Sequence, residues 1–470
     1  MQSLARTRAP MGRAASKPHT PTTSKCAQKR ASTTTADDAQ AAAGGGVAKP
    51  LGTTAIFGAA RHAEKRLKPA LPAGYSEITD SGTGEVFTVR RAHDCTLKIE
   101  RSLSEKRVAR YERKAAAASI LGKRHRIAAC HANPVKHAQH IEVWAKRDAA
   151  LPGHFRGLQT CSLSWLCAVC APKIAERRAA EIEAAMVTCK AQGGQILMPT
   201  FTVPHGRKDP LAETLDLVKK AMRSMGQSRQ YRTLQAELLT IGRVTATEIT
   251  HGEANGWHPH LHELWFFAAA GIDVPALELR LFRMWRATCI KFGLGEPSRK
   301  HGVVVQDGSR AAAYVSKMGD KDKPWGLSDE IAKASAKGGR KASRSAWELL
   351  DCVADGDATP THQKRAAGLF REYAEATKGK QQLAWSPGLK KHFAIVDMDD
   401  EELAAVTQED AVLVANITLE DWRAIRKQGG QAGILNAAQF GPDAVKAMVR
   451  MYVQLEAATG EARGGKEVTA

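Results

Sequence analysis

The strongest chemical signal in the chain is Gly256-Trp257-His258-Pro259-His260-Leu261-His262. On a strand, alternate residues share a face. His260 and His262 therefore point the same way, with Leu261 turned into the core. Two imidazoles at that spacing can hold one divalent ion. His258 would share their face, but Pro259 removes a ladder hydrogen bond and marks the start of the strand. Just before it, Asn255-Gly256 is a hairpin turn signal. With a turn centred near residue 254 or 255, Glu248 falls opposite residues 260–262, on the same face. Two imidazoles and one carboxylate leave positions for water and a phosphate oxygen, as a catalytic ion requires. Glu253 ranks second because it lies in the turn, and Glu263 faces the other side. Alone, His-x-His more often faces solvent; the partner glutamate and the apolar flanks raise its standing. Metallo-hydrolases with His-x-His continue with Asp and a further His, whereas Glu263 and Leu264 follow here.

About 50 residues on comes Ala311-Ala312-Ala313-Tyr314-Val315-Ser316-Lys317. At helical spacing Arg310, Tyr314 and Lys317 share one face. A free phenol has a pKa of about 10 and is a poor nucleophile at neutral pH. Two neighbouring cations favour the phenolate and draw in phosphate. The three alanines leave room for a substrate to approach. By itself this is a surface tyrosine on an ordinary helix; the His strand gives it a partner. A divalent ion, Mg²⁺ or Mn²⁺, would polarise a phosphodiester that Tyr314 attacks. The products would be a 5′-phosphotyrosine and a free 3′-hydroxyl able to prime a polymerase.

A third constellation is Cys167-Ala168-Val169-Cys170 with Cys161 just before it. Cys130 could supply a fourth thiolate across an intervening hairpin. Four thiolates make a closed tetrahedral Zn²⁺ site, structural rather than catalytic. His131 or His154 could replace one of them. Buried free cysteines are the plain alternative. A redox pair lacks the thioredoxin-like βαβ context. Lys173, Arg177 and Arg178 on the following helix could track a DNA backbone or simply face solvent.

These residues need elements to position them. Pro172 to about Ala191 has helical spacing, with Gly193-Gly194 after it. Gln195 to Val203 reads as a strand ended by Pro204. Asp209-Pro210 opens a long amphipathic helix to about Leu239. Ile241 to Thr250 and Trp257 to Phe267 read as the two strands of the hairpin. Pro275 to Phe292 is a helix, Gly302 to Gln306 a strand and Ser309 to Lys317 a short helix. The order β-α-β-β-α-β-α predicts an α+β fold: a central antiparallel sheet with helices on one face. An N-terminal zinc-binding region and a mostly helical C-terminal module flank it.

The chain of 470 residues has 69 Lys and Arg against 49 Asp and Glu, a formal charge of +20, with 43% hydrophobic residues. That excess favours a polyanionic partner, nucleic acid before an anionic membrane. No apolar run of about 18 residues is present, so a membrane span is not expected. The nine Cys, three crowded at 161–170, indicate metal in a reducing compartment rather than a secreted disulfide scaffold. Residues 1–60 cannot bury a core and read as a disordered basic tail; their Ala/Arg/Ser/Thr-rich start resembles a transit peptide in composition only. Residues 61–192 read as the region with the four-cysteine zinc site, 193–325 as the catalytic core and 326–345 as a basic linker. Residues 346–394 read as a helical extension and 395–470 as an acidic C-terminal module for protein contact or stability. From Asp397 on there are 13 acidic and 7 basic residues, a net of −6. With +20 overall, the first 396 residues carry +26, so a DNA-facing surface belongs there.

Together these residues resemble the HUH endonuclease superfamily, and within it the rolling-circle plasmid replication initiators. The similar stretch runs from about Cys130 to Leu389. Thr200-Phe201-Thr202-Val203-Pro204-His205 looks like the first motif, His260-Leu261-His262 like the metal motif and Tyr314 to Lys317 like the nucleophile motif. The tyrosine follows the His pair, as in replication initiators, whereas in conjugative relaxases it usually precedes it. The single Tyr differs from the two-tyrosine phage type. The resemblance implies that Trp385-Ser386-Pro387-Gly388-Leu389 belongs to the tail of the catalytic region. Some relatives carry a Glu one turn before the tyrosine; Arg310 stands there, and Asp307 is the nearest carboxylate upstream. The implied function is nicking and rejoining one DNA strand at an origin, in the bacterial cytoplasm, alongside a host helicase and DNA polymerase and without a membrane. A relaxase or transposase with the same core, and a non-catalytic zinc-containing DNA-binding protein, are the alternatives.

Overall fold

The computed structural model describes residues 75–79, 86–91, 97–99, 103–146, 153–308, 343–405 and 411–464. Three short antiparallel strands open it: β1 (Tyr75–Thr79), β2 (Val86–Arg91) and β3 (Leu97–Ile99). They are followed by α1 (Leu103–Leu121), α2 (Arg126–Ala129), β4 (His140–Lys146), β5 (His154–Arg156) and α3 (Cys170–Ala191). The central part comprises β6 (Gln195–Thr202), α4 (Leu211–Gln227), α5 (Arg229–Glu237), β7 (Thr240–Gly252), β8 (Gly256–Phe267), α6 (Val274–Lys291) and β9 (Val303–Asp307). After residue 343 come α7 (Ala346–Ala354), α8 (Pro360–Thr377), β10 (Leu383–Trp385), α9 (Leu389–His392) and α10 (Asp400–Ala405). The chain ends in β11 (Ala411–Thr418), α11 (Leu419–Lys427), α12 (Gln431–Ala437) and α13 (Pro442–Gly464).

The central sheet is antiparallel throughout, in the order β10-β7-β8-β6-β9. The β7–β8 hairpin dominates it, pairing from Thr240↔Phe267 to Gly252↔Gly256 with one register irregularity near Gly242. Gly256 turns the chain at φ 74°, where a Cβ would lie 2.9 Å from Arg207 Cα. Only glycine meets both demands. The Trp385–Leu389 stretch closes the far edge of this sheet. β10 pairs with β7, the Ser386 hydroxyl accepts from the Arg243 N–H at 3.0 Å, and Leu389 is buried.

Two expectations need correcting. The long helix from 211 is two helices: the Ser228 backbone is extended, and its side chain accepts from the Tyr231 N–H, capping α5. A continuous apolar stripe conceals that break, since Ser is unremarkable in a sequence until its backbone leaves the helix. Helices also cover both faces of the sheet, not one. Val218, Met222, Tyr231, Leu281 and Trp285 from α4 to α6 pack under Leu261, Trp265 and Phe267. On the opposite face, Ile182 and Met186 of α3, with Leu389 and Phe393, cover Ile196, Val244, Leu264 and Phe266. β8 is therefore buried on both sides, which explains its nearly unbroken apolar run from Leu264 to Phe267.

A second core joins regions far apart in sequence. β11 pairs with β4, which pairs with β5. Ile141, Val143 and Phe155 of that sheet share one core with Cys130, Cys161, Cys167 and Cys170 and with Ile417, Trp422 and Ile425. Trp422 Nε1 donates to the Ala132 carbonyl at 2.9 Å. Residues 1–60 and 326–342 of the expected tail and linker lie outside the described residues. Just beyond them, Arg344 bridges to His251 and Ser345 caps α7 in a capping box with Glu348. Among the described residues no helix is long and apolar enough to cross a membrane.

Candidate metal centres

The hairpin register puts Glu248 directly opposite His260. Cross-strand partners share a face, so the carboxylate meets both rings. Glu248 Oε2 lies 2.7 Å from His260 Nε2 and 2.9 Å from His262 Nε2. All three residues are buried, at 7%, 6% and 2% exposure. The three ligand atoms lie within 4.8 Å of one another. Burial alone would raise the Glu248 pKa, but His260 and then His262 outweigh it and hold the carboxyl well below its ordinary value. Burial likewise opposes a charged His260, yet the Glu248 charge raises it; at His262 burial prevails and lowers it.

The outer nitrogens of both rings are also placed. The Thr200 hydroxyl on β6 is 2.9 Å from His262 Nδ1, and the His258 carbonyl is 3.3 Å from His260 Nδ1. A Nδ1–H donated outward leaves each Nε2 lone pair for an ion, the usual arrangement of metal-bound histidine. Buried imidazoles and a carboxylate converging on one point suit a divalent cation that keeps open positions. From sequence Thr200 stands out only as part of a motif. Its contact depends on the β6–β8 pairing, Thr200↔His262, which local sequence does not specify.

The other carboxylates fall where expected. Glu253 pairs with Arg344 at 2.9 Å and is not a ligand. Glu263, wholly buried on the opposite face, accepts from Arg243 Nε at 3.0 Å and Trp265 Nε1 at 2.8 Å. His258 lies on the same face, as its spacing predicts, but the strand starts at Gly256 and runs through Pro259 instead of starting there, since Pro259 pairs with Ile249 within the ladder. The His258 ring stacks on His205 with centroids 4.2 Å apart, and burial brings its pKa to about 3. Arg310, Tyr314 and Lys317 lie outside the described residues.

The second centre gathers all four expected cysteines. Cys130 Sγ is 3.5 Å from Cys170 Sγ and 3.7 Å from Cys167 Sγ, and Cys161 Sγ is 3.8 Å from Cys170 Sγ. Exposure is 1% or less for each. These gaps rule out a disulfide, whose S–S length is about 2.0 Å. They match the edge of about 3.8 Å for four sulfurs around zinc at about 2.3 Å. Among the described residues four non-glycines have left-handed backbone, and two of them, His131 (φ 49°) and Ser162 (φ 52°), directly follow cysteines of this cluster. Such strain persists where surroundings enforce it. Cys170 begins α3 and accepts hydrogen bonds from Cys130 and then the other thiols, which hold its pKa well below the ordinary thiol range. Neither histidine substitutes for a cysteine: His131 Nδ1 meets Tyr111 Oη at 2.9 Å, and His154 stacks on Trp144.

The three cations expected to track DNA are differently disposed. Arg178 pairs with Glu181 at 3.1 Å and Asp400 at 3.3 Å. Lys173 stands within electrostatic reach of Cys170, Cys130 and Cys167. Arg177 is half-buried beside Glu176.

The site and sheet thus define an α+β protein with antiparallel sheets and two buried clusters fit for metal. The chain is 25% identical to "Protein rep" of Streptomyces lividans, over 60% of this chain and 76% of that protein. It is also 32% identical to "Neomycin resistance protein" of Streptomyces cyanogenus over 143 residues, 25% of this chain and 32% of that protein. No family model matches the chain. No solved structure matches it either.

Proposed function

We propose that the chain is a replication initiator of the HUH type, which nicks one DNA strand through Tyr314 and later rejoins it. The observation that carries this reading is the buried convergence of Glu248, His260 and His262 on a single point. The formal charge of +20 fits a nucleic-acid partner, and the likeness to a protein named Protein rep fits a role in replication. Mg²⁺ or Mn²⁺ held by the triad would polarise the scissile phosphate, and Zn²⁺ in the four-cysteine cluster would be structural.

The tyrosines favour Tyr314 by elimination. Tyr111, Tyr231 and Tyr373 are buried away from a DNA strand, and burial raises the pKa of each. Of the six tyrosines in the chain that leaves Tyr75, Tyr314 and Tyr452, and of these only Tyr314 has an Arg four residues before it and a Lys three after, Arg310 and Lys317. Gly308, six residues before Tyr314, is buried against Leu264: a Cβ there would lie 2.9 Å from Leu264 Cδ1. Leu264 shares the face of His260 and His262 and lies about 7 Å along β8 from His262. Six residues span at most about 20 Å, a length that allows the proposed attack.

In the proposed step the Tyr314 oxygen bonds to phosphorus while the P–O3′ bond breaks. The electron pair leaves on O3′, which becomes a hydroxyl as the phenolic proton passes to it through water. The protein keeps the 5′-phosphate as an ester, and rejoining is the reverse. Arg310 and Lys317 would hold the phosphate and favour the phenolate. Of the three cations expected to track the backbone, Arg178 is already paired and Lys173 lies one turn from Cys170; other cations of the first 396 residues would carry most phosphate contacts.

The test uses a library of 3′-labelled single-stranded oligonucleotides with Mn²⁺. A covalent, protease-sensitive adduct that disappears in Tyr314→Phe is the expected result. An undiminished adduct in Tyr314→Phe would move the nucleophile elsewhere. No adduct with any DNA, despite binding, would favour the non-catalytic alternative. A relaxase or transposase would differ in the sequence it cuts.

A further inference from the structure

The four-cysteine cluster poses an electrostatic problem of its own. Four thiolates around Zn²⁺ carry a net charge of −2, in a site where every cysteine is at most 1% exposed. Buried charge is tolerated only when it is paired. The structure supplies two ammonium groups at the right places. Lys114 lies one turn beyond Tyr111 on the same face of α1 and is 6% exposed. Lys173, half-buried, lies one turn beyond Cys170 on α3, an i,i+3 neighbour on the same helix face. Burial lowers the pKa of both lysines; against it, charge on Cys130, Cys167, Cys161 and Cys170 raises that of Lys114, and charge on Cys170, Cys130 and Cys167 raises that of Lys173. Among the described residues neither lysine makes an ion pair with a carboxylate. A buried lysine with no acidic partner is costly unless something anionic stands beside it.

We propose that Lys114 and Lys173 are the counter-charges of a zinc tetrathiolate, so that the centre is electroneutral, closed and slow to lose its ion. The inference rests on the zinc reading of the cluster and goes beyond it by giving two lysines a positioning role. It also explains why Lys173, on a helix that looks suited to DNA from sequence, is half-buried beside the cluster. The left-handed turns at His131 and Ser162 serve the same end, wrapping the chain around the sulfurs. Neutral surroundings lower the basicity pressure on the thiolates, so protons and electrophiles compete less well for them.

The experiment is zinc release from the full chain, followed with a colorimetric chelator after metal content has been measured. Wild type should hold one tightly bound zinc and release it slowly. Lys173→Met and Lys114→Met should each speed release at least about tenfold, the scale of losses on removing groups that support metal ligands. Lys173→Arg, which keeps the charge, should stay near wild type. If Lys114→Met does not fold, Lys173→Gln decides alone, because Lys173 is the less buried of the two. Wild type without zinc overturns the zinc reading itself. Zinc present but released equally fast from wild type and the Lys173 variants overturns the counter-charge role and leaves the zinc reading standing.

Discussion

Glu248, His260 and His262 combine a charge, two lone pairs and near-complete burial, so each is replaceable only at the cost of the whole. His260→Ala or His262→Ala should abolish cleavage and Mn²⁺ binding while most DNA affinity survives, because phosphate contacts by Lys and Arg dominate affinity. Calorimetry with Mn²⁺ and a filter-binding assay separate the two effects; equal loss of both would remove the division of roles. Thr200 acts through His262. Thr200→Val keeps the shape but loses the contact to His262 Nδ1, and should weaken Mn²⁺ binding roughly 10–100-fold, with Thr200→Ser near wild type. His154 offers a pH test away from the triad. Burial and then Lys173 bring its pKa to about 4, against about 6.5 in the unfolded chain. Between those values the unfolded state binds the extra proton, so stability rises with pH across that window. His154→Gln should flatten the rise of the urea midpoint between about pH 4.5 and 6.5; an unchanged slope would place the linkage on other groups.

At the scale of elements, function depends on the register of one hairpin. A slip of one residue between β7 and β8 would turn His260 and His262 toward α4 and α6. Gly256 guards against that slip, with its positive φ and the backbone of Gly206 and Arg207 at 2.9 Å from a would-be Cβ. Gly256→Ala should cost about 1–3 kcal/mol for the backbone conformation alone and weaken Mn²⁺ binding in parallel. A thermal melt and a metal titration check it; full stability with intact binding would show that the turn does not set the register. This hairpin is the most legible part of the chain, since Asn255-Gly256 fixes the turn and period-two spacing fixes the faces. Both are local, and from them Glu248 follows as the third ligand. The Thr200 contact is not legible, because β6 reaches β8 only after about 60 intervening residues. Nor is the second helical layer: the α3 residues Ile182 and Met186 show an apolar stripe without saying which sheet face receives it. The four cysteines are readable by spacing, whereas the lysines beside them are not, since Lys114 looks like any basic helix residue until α1 is packed.

On the scale of the whole molecule, the acidic end of the chain is structurally part of its beginning. β11 forms an edge of the β4–β5 sheet, and Trp422, 1% exposed, donates to the Ala132 carbonyl and meets Phe155 edge-on at 5.0 Å. Gln431 reaches the His131 carbonyl, next to a cysteine of the cluster. Composition alone suggests an acidic module for protein contact or stability from residue 395, because charge changes sign there; charge reports solvent-facing residues and says nothing of the core beneath. Truncation after Ala394 would uncover the apolar residues that Ile417, Trp422 and Ile425 cover and would strip a strand from β4, leaving an open edge prone to aggregation. The truncated chain should therefore be insoluble or lose zinc. Trp422→Ala is the milder probe: it should cost about 3–5 kcal/mol and raise amide exchange at residues 126–170, while exchange in the β7–β8 hairpin changes little. A soluble truncation that retains zinc and nicks DNA at the wild-type rate would show instead that the catalytic sheet and the cysteine cluster stand without the C-terminal residues.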